Sequence, residues 1–242
     1  MHNKYSPKGL TIVALCGSGA EKFVKDNKIN YPVGMGGPNS QNYGISAIPH
    51  TYLINARGKI AWEGHTATPQ QVEELLAKVR VLPNKDWPKG VEKIAKAAAA
   101  GNLGEASKLL GKLKPDGDEE EAAAKEIQEY VDWKIGDIFA EAEEAEKDGD
   151  YFFANQVLAA AKKSLAGHEA AERASEKLKA YQKDKAIAAA IRAGALYEQA
   201  QALELQKKPK DALQFYAQAA KVGAGTKVGE RARAKVEELS AK

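Results

Sequence analysis

Gly44-Ile45-Ser46-Ala47-Ile48-Pro49-His50-Thr51-Tyr52-Leu53-Ile54-Asn55-Ala56-Arg57-Gly58-Lys59-Ile60 decides how the first third of this chain folds. Thr51–Asn55 and Lys59–Glu63 are short β-prone runs on either side of Ala56-Arg57-Gly58. They predict an antiparallel hairpin whose turn uses Gly58 at positive φ. Downstream, Thr68-Pro69-Gln70-Gln71 is a helix start: Thr68 as N-cap, Pro69 in the first turn, Gln71 closing a capping box. Val72, Leu75, Leu76 and Val79 follow at i, i+3, i+4 and i+7, which gives that helix one apolar face. Upstream, Leu10-Thr11-Ile12-Val13-Ala14-Leu15-Cys16 is nearly continuous in apolar residues and reads as a strand buried on both faces of a parallel sheet. Gly17-Ser18-Gly19 then opens a helix around Ala20–Asp26, with Ser18 as its cap.

The grammar changes near Pro83–Gly90. Beyond it Ala, Lys, Glu and Leu dominate, β-branched runs nearly vanish, and helical periods run long. The expected organisation is an α/β domain over 1–82, a linker over 83–90, and an all-α helical-hairpin region over 91–242. Helices are expected near 91–100, 103–113, 118–147, 151–166, 168–206, 209–221 and 226–240. Gly101-Asn102-Leu103, Gly149-Asp150-Tyr151 and Lys208-Pro209-Lys210 are helix breaks spaced 48 and 59 residues apart. The last, with Leu196-Tyr197-Glu198-Gln199-Ala200 before it, resembles a tetratricopeptide hairpin, although the spacing departs from the ~34 residues of that repeat. An irregular helical bundle is the competing architecture, and either one suits the docking of protein segments.

The order strand, helix, hairpin, helix, with Ile48-Pro49 before the hairpin, resembles the thioredoxin-like family and within it the TlpA-type redoxins. The match rests on Lys8–Ala14 as the strand after the active-site helix, Asn30-Tyr31-Pro32-Val33 as the next segment, Tyr43–Pro49 as the approach to the cis-proline loop, and Asn55–Ile60 as the hairpin turn. It covers about residues 3–80. The resemblance implies a thiol–disulfide oxidoreductase. It also implies that Ile48 and Pro49, with His50 beside them, hold an extended substrate, and it leans toward the bacterial cell envelope. The departure is the dithiol: Cys16 is the only cysteine, so there is no CxxC pair. His2-Asn3-Lys4-Tyr5 resembles the last turn of the helix that such a pair would begin. The family's central strand, which would lie between the Leu10 and Thr51 strands, is absent as well. The expectation is a fragment or a late start at Met1; a decayed domain, or a sheet in which those two strands pair directly, are the alternatives.

Disulfide exchange needs an attacking thiolate and a second thiol to resolve the mixed disulfide. The fold class is thus an N-terminally truncated thioredoxin-like domain followed by helices, inactive as a reductase in these residues. The alternative function is a non-catalytic interaction scaffold acting through its helical region. Cys16, ending a strand before a helix, is a weak candidate nucleophile and more simply a small packed side chain. Ile48, Pro49 and His50 are the candidate substrate-binding residues, and the expected partner is a protein or peptide. The net charge of +3 is spread without a basic patch, which argues against nucleic acid. No stretch approaches the ~20 apolar residues of a membrane span. His2, His50, His65 and His168 are scattered singly, which implies no metal site, and no cofactor motif stands out. Asp116-Gly117-Asp118 starts like a calcium loop but lacks its spacing.

Overall fold

The computed structural model describes residues 1–17, 19–35 and 45–241 and divides into two units, Met1–Lys85 and Asp86–Lys242. The first unit opens with α1 (His2–Tyr5) and a 3-10 turn, Ser6–Lys8. It continues through β1 (Ala14–Cys16), α2 (Ala20–Asp26), β2 (Val33–Met35), β3 (Thr51–Ile54), β4 (Ile60–Gly64) and α3 (Pro69–Leu76). β1 pairs with β2 in parallel, Ala14 opposite Val33 and Cys16 opposite Met35. β3 and β4 form the expected antiparallel hairpin, with a register shift between Leu53 and Ile54. Its turn is set by Asn55, whose Oδ1 accepts from the backbone N–H of Arg57 and of Lys59, both at 3.0 Å. Gly58 sits at φ 73°, as the turn requires. The capping box of α3 is formed in both directions: the Thr68 hydroxyl accepts from Gln71 N–H, and the Gln71 amide oxygen accepts from Thr68 N–H.

Two expectations for this unit are corrected. β1 is not buried on both faces: Val13 and Leu15 are 61% and 59% exposed, while Ile12, Ala14 and Cys16 are half-buried on the alternate face. Among the described residues the strands form two separate two-stranded sheets, so β1 has one partner and its Val13/Leu15 face has no cover. Among the described residues β1 does not pair directly with β3. Gly34 and Met35 belong to β2. The cap assigned to Ser18 and the approach segment Tyr43-Gly44 lie outside the described residues.

The second unit is entirely helical: α4 (Lys89–Ala99), α5 (Leu103–Leu110), α6 (Asp118–Lys147), α7 (Tyr151–Ser164), α8 (Glu169–Lys183), α9 (Lys185–Leu205), α10 (Pro209–Val222) and α11 (Lys227–Ser240). The single helix expected over 168–206 is in fact two. Asp184 adopts an extended backbone, φ −82° and ψ 115°, and its carboxylate caps α9 by accepting from Ala186 and Ile187 N–H. An Asp that offers its oxygen to two orphan N–H groups terminates one helix and starts the next.

These helices contain a duplication. Residues from the second half of α6 through α8 recur 58 positions later in α9 through α11. The turn after α6 has Gly149 at φ 72°, and the turn after α9 has Lys207 at φ 58°. The next turns place Gly167 and Gly225 at φ 85° and 80°. His168 and Thr226 follow as side-chain N-caps, accepting from Ala170 and Gly229 N–H. The buried alanines coincide: Ala142, Ala154, Ala161 and Ala174 against Ala200, Ala212, Ala219 and Ala232. Ionic contacts coincide too. Glu146 accepts from Lys177 at 2.7 Å, and Glu204 lies 3.6 Å from Lys235. Each glutamate also accepts a tyrosine hydroxyl, from Tyr181 and from Tyr216. The aromatic–arginine stacks coincide as well, Arg173 over Phe139 and Arg231 over Tyr197. Each copy is three helices, and α7 of the first packs on α9 of the second.

Candidate functional site

The candidate binding residues sit at the entry to β3. The Ile48–Pro49 peptide bond is cis. Ile48 is 87% exposed and Pro49 is exposed, so an apolar side chain stands in solvent beside the proline. His50 is half-buried and its ring tilts against Tyr52, with centroids 4.8 Å apart. Its Nε2 is shielded from solvent and has no hydrogen-bond partner among the described residues. The Thr51 hydroxyl donates to the His65 carbonyl at 3.1 Å, which ties the start of β3 to the residue just beyond β4.

Cys16 is at the end of β1, half-buried, with Sγ directed 3.6 Å from the Gly34 carbonyl of the neighbouring strand. It belongs to the parallel pair, whereas Ile48, Pro49 and His50 precede the antiparallel pair. Among the described residues no hydrogen bond joins Cys16 to His50. Ile48, Pro49 and His50 thus form one surface at the hairpin, and Cys16 is separate from it in the sheet topology. Among the described residues no group of three or more His, Cys, Asp or Glu is placed to hold a metal.

The start of the chain is pinned to α3. Tyr5, 1% exposed, donates its hydroxyl to Glu73 at 2.6 Å, and Lys4 pairs with the same carboxylate at 3.0 Å. The Tyr5 hydroxyl first, then the Lys4 ammonium, hold the Glu73 carboxyl below its usual range. Asn30 donates to Asn3 at 2.6 Å, adding a tie to the segment before β2.

Comparison with known proteins gives two curated relatives. Both carry the description thiol-disulfide oxidoreductase ResA, one from Bacillus thuringiensis subsp. konkukian (strain 97-27) and one from Bacillus cereus (strain ATCC 10987 / NRS 248). Each is 33% identical over 86 residues, which is 33% of this chain and 50% of the relative. The similarity supports a redoxin-family relationship. The chain spans about half the length of the curated relatives it matches. No family model matches, and no solved structure matches.

Motif reading left one feature unmarked, the pair of arginine–aromatic stacks in the helical unit. The signal was present as the 58-residue offset, because aligning Phe139–Tyr181 with Tyr197–Leu239 superposes both residues of each stack and the Glu–Lys pair of each copy, while the clamping tyrosines come from different positions, Tyr181 opposite Leu239 and Tyr216 opposite Leu158.

Proposed function

We propose that Met1–Lys85 is a thioredoxin-like redoxin unit of TlpA type, which holds an extended partner segment at Ile48, Pro49 and His50 and does not exchange disulfides through these 242 residues alone. The observation that carries this reading is the lone thiol. Cys16 is the one cysteine in the sequence, and its Sγ is turned to the Gly34 carbonyl. A thiolate can attack a disulfide, but release of product needs a second thiol to attack the mixed disulfide. The redoxin relationship supports the ancestry of the unit, and the exposed Ile48 supports a surface for an apolar partner residue. For the whole protein, a thiol–disulfide oxidoreductase activity is the corresponding proposal.

The test is insulin reduction in dithiothreitol by the chain and by Cys16→Ser. Neither is expected to accelerate turbidity above the uncatalysed rate. Acceleration that survives Cys16→Ser would overturn the reading. Acceleration lost in that variant would instead make Cys16 a working nucleophile.

The duplicated three-helix unit favours a second reading, in which Asp86–Lys242 is a non-catalytic, tetratricopeptide-like module for protein segments. Stacked helical repeats bury their apolar faces on one another and leave long grooves between adjacent units.

A further inference from the structure

The duplication lets one half of the helical unit serve as the control for the other. In the second copy α9 and α10 leave an open groove of about 600 Å³, lined by Arg192, Ala195 and Leu196 of α9 and by Lys221 and Val222 of α10. Its floor is apolar, its two charges are both positive, and no carboxylate is in the lining. Among the described residues neither Arg192 nor Lys221 has an ion-pair partner. The acids of these two helices are engaged or directed elsewhere. Asp184 caps α9, Glu198 lines a separate cavity beside Gly149 and Lys227, and Glu204 is held by Tyr216 and Lys235. Asp211 stands three turns before Val222, about 16 Å away along the helix axis.

The equivalent surface of the first copy is closed by the chain's own helices. Ser164, at the place of Val222, donates its hydroxyl to the Gly101 carbonyl in the turn between α4 and α5, at 2.7 Å. Gly104 at the start of α5 lies so close to the Leu165–Ala166 backbone that a Cβ there would collide with the Ala166 carbonyl oxygen. Both α4 and α5 pack on α6. Lys134, Asp137 and Ile138, at the places of Arg192, Ala195 and Leu196, are all half-buried. Asp137 also answers the charge of Lys134 at 3.5 Å. In the second copy Arg192, Ala195 and Val222 are exposed, and Ala195 supplies no carboxylate. One surface thus receives helices in the first copy, and its counterpart among the described residues is bare and positively charged.

We infer that the α9–α10 groove docks an amphipathic helix of a partner protein, whose apolar stripe lies on Leu196 and Val222 and whose carboxylates pair with Arg192 and Lys221. The inference rests on the reading of the helical unit as a docking module and names the partner chemistry of that module. A helix is the occupant because two packed helices present a groove that fits the ridge of a third, as α4 and α5 show on the first copy. Acidic flanks follow from two cations with no internal partner. A membrane surface fits less well, since acids and bases nearly balance over Asp86–Lys242 and a sheet of negative charge would meet both.

The test is fluorescence anisotropy on the full chain with a labelled alanine-based peptide of about 18 residues, long enough to be helical alone. It carries a leucine stripe flanked by two glutamates, and the control peptide has glutamine in their place. The Glu peptide should bind about tenfold more tightly, as two solvent-exposed ion pairs allow, and the preference should weaken with salt. Arg192→Gln/Lys221→Gln should abolish the preference; both positions are exposed, so the variant should keep the thermal transition of the parent. Ala195→Asp should cut it to about threefold by answering Arg192 from within, as Asp137 answers Lys134. Lys134→Gln should leave it unchanged. Equal binding of both peptides to the parent, or a preference that survives the double variant, overturns the groove assignment while leaving a docking module in place. Binding of neither peptide overturns the assignment and withdraws its support from the docking reading. Recruitment of the chain to phosphatidylserine vesicles that is lost in the double variant overturns it in favour of a membrane surface.

Discussion

At the scale of single residues, the helical unit is held by two tyrosines that donate into carboxylates. Tyr181 is 5% exposed and donates to Glu146; Tyr216 is fully buried and donates to Glu204. Burial first, then the hydrogen bond to the glutamate, pushes both phenols well above their ordinary range. The sign follows from proton counting. Above about pH 10 the unfolded chain loses these protons while the folded chain keeps them. Their contribution is therefore fully present below about pH 10 and is lost as pH rises further. Urea unfolding of the parent and of Tyr181→Phe/Tyr216→Phe, each at pH 8 and pH 11, isolates this from the titration of lysines. The parent should lose more stability between the two pH values than the double variant. Parallel losses would show that neither phenol is coupled to folding.

Among secondary-structure elements, the copies differ where α7 meets α9. Gly194 of α9 is buried, and a methyl group there would run into Cβ and the ring of Phe152. Its equivalent in α6, Gly136, is exposed, with open space around the same position. The same substitution should thus have opposite signs. Gly136→Ala removes backbone freedom from an exposed helix interior and should stabilise by about 1 kcal/mol. Gly194→Ala forces Phe152 or the helix axis to move and should destabilise by roughly 1–3 kcal/mol. Denaturant midpoints at constant m-value read both, and a shared sign would refute the alignment of the two copies. The elements themselves were largely legible. Caps and turns are written in local chemistry, which is why the α3 box at Thr68 and the Asn55–Gly58 turn follow from four residues each. The break at Asp184 was not, because alanine, lysine and glutamate continue the helical pattern on both sides and only the aspartate oxygen decides. The candidate binding residues could be read from the Ile48-Pro49 motif, whereas the placement of Cys16 against Gly34 depends on which strand pairs with β1 and in what register, which no local pattern specifies. The duplication is hard to read from the sequence because its identical positions are mostly Ala, Glu, Lys and Arg, the types that fill the whole helical region, while more distinctive marks change identity, Phe139 to Tyr197 and Gly149 to Lys207.

Across the whole molecule, burial is distributed very unevenly. Among the described residues of Met1–Lys85 the buried hydrophobic side chains are Tyr5, Ala67 and Val72; all the others in the chain lie between Val91 and Ala232. The first unit instead leaves Val13, Leu15, Phe23, Ile48, Ile54 and Ile60 more than half exposed. An apolar run such as Leu10–Cys16 encodes burial, but burial is delivered only by a covering layer, and among the described residues β1 has a single strand beside it. Burying apolar area is the main term opposing chain entropy, so a unit with so little of it opens at low cost. The helical unit has the reverse balance, with Ile127, Val131, Leu158, Leu165 and Tyr216 all fully enclosed. Hydrogen exchange on the intact chain should therefore separate the two. Amides of β1 and β3 are expected to exchange roughly a hundredfold faster than those of α7 and α10, because their opening needs only the first unit to loosen. Adding a segment that covers the Val13/Leu15 face should slow β1 and leave α7 and α10 unchanged. Equal protection in β1 and α7 without any such segment would mean that the first unit is stabilised by something other than its own buried side chains.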